Sequence, residues 1–249
     1  MRSAADAACI CSAGKRWILN NSILLDAIVG VDTAERSRRP CRHDAPDARC
    51  PVRDRIKEAA TILLIKEGYR GFLFRDVATG LKITRANIHY HFGNKTKLVE
   101  EVIHDYMQKS IAGHEKIWIT EGLTLKQRLD ALRDFNRGRY KKQNPKGRGG
   151  TFSLISRMRR DKDLLTPKAR KEVMDFADQI EGWVRHAVDE ALRNGELRAD
   201  APREDVAVVL FALTNTAASI TEEAGSLEKW EAACNAAARL IEAAYGKKS

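Results

Sequence analysis

Between Phe74 and Val102 the chain sets three helix boundaries within fewer than thirty residues, and no other stretch restricts its fold as tightly. Thr84 follows Lys82 and Ile83, and its hydroxyl can accept from the unsatisfied N–H groups of a new helix. Ile83 and Ile88 occupy the two positions of a hydrophobic staple, which fixes the angle of entry. Gly93 and Asn94 end this helix, expected over about Thr84 to Tyr90. Asn94 then caps another, with Lys95 at its first position and Leu98, Val99, Val102, Ile103 and Tyr106 as its apolar stripe. Upstream, Val77, Ala78 and Leu81 predict a helix over about Arg75 to Leu81, with Phe72 and Phe74 filling the space toward a first helix. That first helix runs from Arg53 through Ile56, Ala59, Ala60, Leu63 and Leu64 and stops at Gly68.

Beyond Glu115 every signal is helical. Thr124 and Gln127 form a capping box opening a helix to about Tyr140, and Thr166-Pro167 opens a long helix that stops at Gly195. Further helices are expected over Asp205 to Glu223 and Leu227 to Tyr245, divided by Gly225 and Ser226. Between Lys141 and Gly150 a proline and three glycines forbid regular structure. No stretch alternates as a strand does, so the expected class is all-α. The expected organisation is an N-terminal extension (1–50), a three-helix domain (51–98) and a larger helical domain (99–249).

Residues 1–50 mix small residues, scattered arginines and Asp-Ala-Pro-Asp without periodicity, and are expected to form a poorly ordered arm or an over-long translated start. One short helix over Trp17 to Val31 and a backbone-touching run from Arg36 to Pro40 are possible within it. Four of the five cysteines lie here, and their spacing lacks the paired C-x2-C knuckles of tetrahedral zinc. Reduced thiols are expected. Ile18 to Val31 is interrupted by Asn20, Asn21, Ser22 and Asp26, so it makes no membrane span, and Asp6 spoils a secretory signal. A cytoplasmic protein with no membrane partner is expected.

The formal net charge is +10, unevenly spread. Residues 53–97 carry a net +6 and 126–170 a net +11, against −6 for 171–249. A basic front suits phosphate neutralisation, and an acidic rear should face away from it.

A helix, a tight turn and a second helix whose first turn carries Thr, Arg and Asn is the helix-turn-helix device, whose second helix enters the major groove. Arg85 can donate to guanine O6 and N7, and Asn87 can pair with adenine N6 and N7. Thr84, His89, Tyr90 and His91 offer donors for phosphate oxygens, and Lys95 adds charge at a helix N-terminus. His89 and His91, two apart on a helix, point about 200° apart and share no ion. No metal, cofactor or catalytic residue is expected, since the His and Asp residues near 89–105 lack a nucleophile, base and orienting set.

Asp76-Val77-Ala78, Ile83 to Ile88 and His89 to Lys95, with Leu98, resemble the DNA-binding domain of the tetracycline-repressor (TetR) family of bacterial transcription regulators, over roughly residues 53–102. The resemblance implies about nine helices, a homodimer formed by the last two long helices and a C-terminal small-molecule pocket whose occupancy releases DNA. Carried over by position, Thr84, Arg85, Ala86, Asn87, His89, Tyr90, His91 and Lys95 would face double-stranded DNA. Lys82 stands where the family usually has glycine, so it must take a left-handed conformation or reshape the turn.

In the rear half Phe135, Tyr140, Phe152, Met158, Phe176, Trp183 and Phe211 offer material for a cavity, though core is the expected fate of most. Arg157, Arg159 and Arg160 can greet an anion or stand in solvent. Val206, Val208, Val209, Leu210, Phe211, Leu213 and Ile220 make one helix apolar on most sides, and Ala232, Ala233, Ala236, Ala237, Leu240 and Ala244 supply a close-packing partner. A two-fold four-helix interface explains that economically and would set two reading helices roughly 34 Å apart on a palindromic operator. The expected function is thus a dimeric, effector-released repressor. An effector-blind adaptor governed by a protein partner is the alternative.

Overall fold

The computed structural model describes residues 51–147 and 149–247. The expected arm, its short helix and the cysteine group within 1–50 lie outside the described residues. Among those described, the chain forms nine α-helices, one short 3-10 turn and a single isolated bridge, Leu197 to Gly246.

Helix α1 (Pro51–Gly71) buries Ile56, Ala59, Ala60, Leu63 and Leu64, the stripe read from the sequence. Its path breaks at Gly68, with φ 71° and ψ −177°. A Cβ there would sit 2.6 Å from Asp161 Oδ2, which accepts the Tyr69 N–H at 2.7 Å, so glycine lets the backbone meet that carboxylate.

Helix α2 (Phe74–Leu81) begins one residue early and has no side-chain cap. Lys82 ends it in the left-handed region at φ 55°, ψ 41°, while the Ile83 N–H donates to Ala78 O at 3.0 Å. Of the two choices open to Lys82, the chain takes the left-handed one. Helix α3 (Arg85–Phe92) reaches two residues further than expected. Another half-turn is needed to bury Phe92, and Gly93, at φ 71°, then ends it.

Helix α4 (Lys95–Trp118) is capped by Asn94, which accepts the Lys97 N–H at 2.9 Å. Helix α5 (Leu125–Gln143) opens on the capping box: Thr124 Oγ1 accepts from Gln127 N at 3.2 Å, and Gln127 Oε1 from Thr124 N at 2.9 Å. It runs three residues past Tyr140, into the segment expected to be irregular. Helix α6 (Leu154–Arg160), capped by Ser153, is too short to show an apolar period in the sequence. Helices α7 (Pro167–Arg193), α8 (Arg203–Ala224) and α9 (Glu228–Tyr245) complete the body, with Gly225 in the left-handed conformation between the last two.

Helices α1 and α3 pack onto α4, α2 packs against α1 and α3, and α4 continues into the body, where it lies along α7. One apolar cluster runs from Ile56 and Phe72 through Trp118 to Trp230, so the front helices share a core with the rear ones. Some polar groups inside the body are matched across long sequence separations, others to the carbonyl four residues back, as Asn136, Thr214 and Thr221 are. Arg128, fully buried, donates from Nη2 to Glu190 at 2.5 Å and from Nη1 to Ile117 O at 3.0 Å. Trp230 Nε1 donates to Leu213 O at 2.8 Å. Arg160 pairs with Glu222 at 2.6 Å and Arg159 with Asn215, so the arginines of α6 tie it to α8. Tyr140, Phe152, Met158 and Phe176 are core, while Trp183 and Phe211 are partly buried.

Candidate nucleic-acid interface

Thr84 sits at the head of α3 in extended backbone, and its Oγ1 accepts the Asn87 N–H at 3.1 Å. An accepting hydroxyl keeps its own proton, so Thr84 caps the helix and still has a donor for an outside oxygen. Ile88 is fully buried beneath it and Ile83 partly so, which is the staple geometry. With Ile88 and Phe92 turned inward, Thr84, Arg85, Ala86, His89 and Tyr90 are left exposed, while Asn87, His91 and Lys95 are half-buried. Tyr90 is 61% exposed, its ring edge-on to His91.

Three residues stand differently from the sequence expectation. His89 Nδ1 lies 2.7 Å from Gly93 O, and its ring meets Phe74 edge-on at 5.0 Å. Its Nδ1 proton therefore serves the carbonyl, and in the neutral ring Nε2 is left as an acceptor, so a phosphate can be met only by the protonated ring. Asn87 Oδ1 is buried without a partner, so this side chain must turn its amide outward to reach a base edge. Lys95 lies over the Tyr69 ring at 4.6 Å and the Phe72 ring at 5.8 Å, and burial holds its ammonium below the ordinary lysine value. It remains at the first position of α4, beside the open amides of that helix.

Sequence reading passed over Arg75 and Lys97. Both are exposed, one beside Phe74 and the other in the first turn of α4. Their signal was present in the sequence as basic residues next to helix starts. Behind this face Arg53 is bound to Glu101 at 2.5 Å and covers the Phe92 ring at 4.5 Å, and Lys57 is bound to Asp105 at 2.6 Å. These cations are spent on holding α1 to α4.

A short exposed helix with a capped, stapled and cationic N-terminal turn, backed by two further helices, is the helix-turn-helix arrangement whose second helix enters a DNA groove. Residues 56–102 match the sequence model of bacterial regulatory proteins of the tetR family. A search of curated proteins found no match. Among solved structures, a TetR-family transcriptional regulator from Agrobacterium tumefaciens aligns with a TM-score of 0.65 at 20% identity, over 76% of this chain and 96% of that one. A TetR regulator from Chloroflexus aurantiacus gives 0.60 at 21%, over 79% and 96%. A transcriptional regulator from Saccharomonospora viridis in complex with choline gives 0.58 at 20%, over 79% and 98%. These likenesses define the fold. Together with the match over 56–102, they set a tetR-family DNA-binding domain at the front of a helical chain that shares the fold of these regulators.

Among the described residues no helix is long and apolar enough to cross a membrane, and no group of three His, Cys, Asp or Glu is placed to hold a metal ion.

Proposed function

We propose that the chain is a cytoplasmic homodimeric repressor that holds a palindromic operator through α3 and is released from it by a small molecule. The exposed turn Thr84-Arg85-Ala86-Asn87, locked by its own cap and staple, carries this reading. Arg85 and Asn87 read bases, while Thr84, Tyr90, His91 and Lys95 hold phosphates, with His89 joining them when protonated. The regulatory unit is taken to begin near residue 99, although α4 itself passes through that point unbroken.

A face left uncovered at the rear supports the dimer. Helix α8 buries Val206, Leu210, Leu213 and Ala217 but leaves Val208 56% exposed, with Val209 and Ala212 also bare. Leu240 on α9 is 70% exposed, in line with Ala232 and Ala236. Small and apolar residues at helical spacing on two adjacent helices suit close two-fold packing. Release by a small molecule is supported by the relative crystallised with choline and by an open cleft in this chain, described below. Sedimentation of the full chain with DNA from upstream of its own gene tests the proposal. The expected result is a dimer that protects two half-sites about one helical turn apart. A monomer bound to a single site would refute the two-fold part.

A further inference from the structure

A cleft of about 610 Å³ opens between α1, α4 and α5, lined on the α1 side by Lys57, Thr61 and Ile62 and opposite by Tyr106, Phe135 and Arg139. Its size falls in the range of small-molecule sites. Arg139 is the odd residue in it. Its guanidinium lies 5.2–5.7 Å from the ring centroids of Tyr106, Phe135 and Phe152 and is half-buried among them. Its hydrogen bonds leave from Nη2 alone, to Tyr106 Oη and, at 3.4 Å, to Ser153 Oγ. Neither acceptor is charged, and no carboxylate pairs with it among the described residues. Most of the other buried or half-buried arginines here have an acid: Arg53 has Glu101, Arg128 has Glu190 and Arg157 has Glu222.

A guanidinium taken partly out of water, without a counter-ion, at the wall of an open cleft is a cation waiting for an anion. Lys109 and Lys142 line the same cleft and are exposed, adding positive charge at its mouth. The acids facing it limit the choice. Lys57 holds Asp105 at 2.6 Å and stands 3.9 Å from Asp54, but Glu58 has no such partner and would repel a multiply charged ligand. Of the remaining walls Ile62, Val102, Phe135 and Phe152 are apolar or aromatic, and Ser110 and Gln143 are neutral and polar.

We propose that this cleft takes a small organic monoanion, a carboxylate on an aromatic or apolar body, with Arg139 as its anchor. The proposal rests on the reading of the chain as effector-released, and it names the effector's class and seat. One wall is α1, which carries the packing surface of the helix-turn-helix, and two ion pairs cross that same joint, Arg53 to Glu101 and Lys57 to Asp105. An occupant that parts α1 from α4 loads both pairs and moves α2 and α3 with α1.

Calorimetric titration of the full chain with benzoate, phenylacetate and cinnamate, and with neutral benzamide as control, tests the site. At least one carboxylate should bind, benzamide should not, and Arg139→Gln should weaken the carboxylate tenfold or more. Should that variant fail to fold, Lys142→Glu, at an exposed position, should still weaken binding severalfold. Failure of all three carboxylates to bind, equal binding of benzamide, or undiminished binding by both variants would overturn the proposal. A parallel DNA titration separates it from the broader reading. A carboxylate that binds through Arg139 yet leaves DNA affinity unchanged refutes release through this cleft. DNA that is never bound, with or without carboxylate, refutes the regulator reading and leaves the anion site standing.

Discussion

Around α3 the capping contacts close within four residues, Thr84 with Asn87, Asn94 with Lys97 and His89 with Gly93, while Asn87 Oδ1 is left without a partner. In the body Asn136, Thr214 and Thr221 also bond to carbonyls four residues back, but other partners are far apart in sequence. Arg128 reaches Glu190, Leu125 N–H reaches Glu196 at 2.8 Å, and Tyr69 N–H reaches Asp161. The contacts around α3 lie at the surface, where water can replace a lost partner, whereas the distant ones hold groups that folding has removed from water. The DNA-facing helix should therefore tolerate substitution in stability and lose function. The body should do the reverse.

The largest effect that this contrast predicts is at Arg128. With its guanidinium fully buried, Glu190→Ala leaves a cation with only Ile117 O as a direct acceptor, and should cost about 3 kcal/mol in denaturant unfolding. A loss below about 1 kcal/mol would mean that the body relaxes as readily as the surface.

Next comes the pH response of His114. It is 4% exposed, wedged edge-on between Phe135 and Phe176, with Nδ1 unpartnered; burial, aided by the Arg139 charge, pushes its pKa down to about 3. A base whose pKa falls on folding binds protons better when unfolded, so its contribution to stability is full above the unfolded value near 6.5 and is lost as pH falls from there toward 3. Between pH 6.5 and 5 the wild type should lose about 2 kcal/mol more than His114→Leu. Parallel pH profiles for the two chains would contradict the assignment.

At the surface the effects shrink. Thr84→Ala removes the α3 cap and should cost about 1 kcal/mol, read as a lower denaturant midpoint. Lys82→Gly relieves the left-handed residue but loosens the unfolded chain, and should stabilise by less than about 1 kcal/mol. A destabilised Lys82→Gly would show that the lysine side chain has a role in the turn beyond its backbone angle.

The same division governs what could be read from the sequence. Thr84, Asn94, the Thr124 and Gln127 box and Thr166-Pro167 announced their helices because a cap acts on backbone three residues away. The staple named the buried face of α3, and for Lys82 the resemblance left two outcomes, of which the folded chain takes the left-handed one. Helix α6 escaped because seven residues carry no period. The engagement of His89 with Gly93 needed the bend of the chain at the end of α3, and the withdrawn Asn87 oxygen needed its packing. In the body, no pattern links Arg128 to Glu190 across sixty-two residues. Of the aromatic residues weighed for a cavity, Phe135 and Phe152 do line the cleft, but Arg139, unremarked in the sequence, gives it chemistry. Cys234, buried with its thiol pushed up to about 12, plays no part.

The central claim is that the exposed turn of α3 reads DNA, and Arg85→Ala tests it most directly. Arg85 is exposed and its loss should leave the unfolding midpoint unchanged. Fluorescence anisotropy with DNA from upstream of the gene, at fixed salt, should show binding weakened by about 1–3 kcal/mol, with sequence preference relaxed. Unchanged affinity and preference in a folded Arg85→Ala chain would contradict the account.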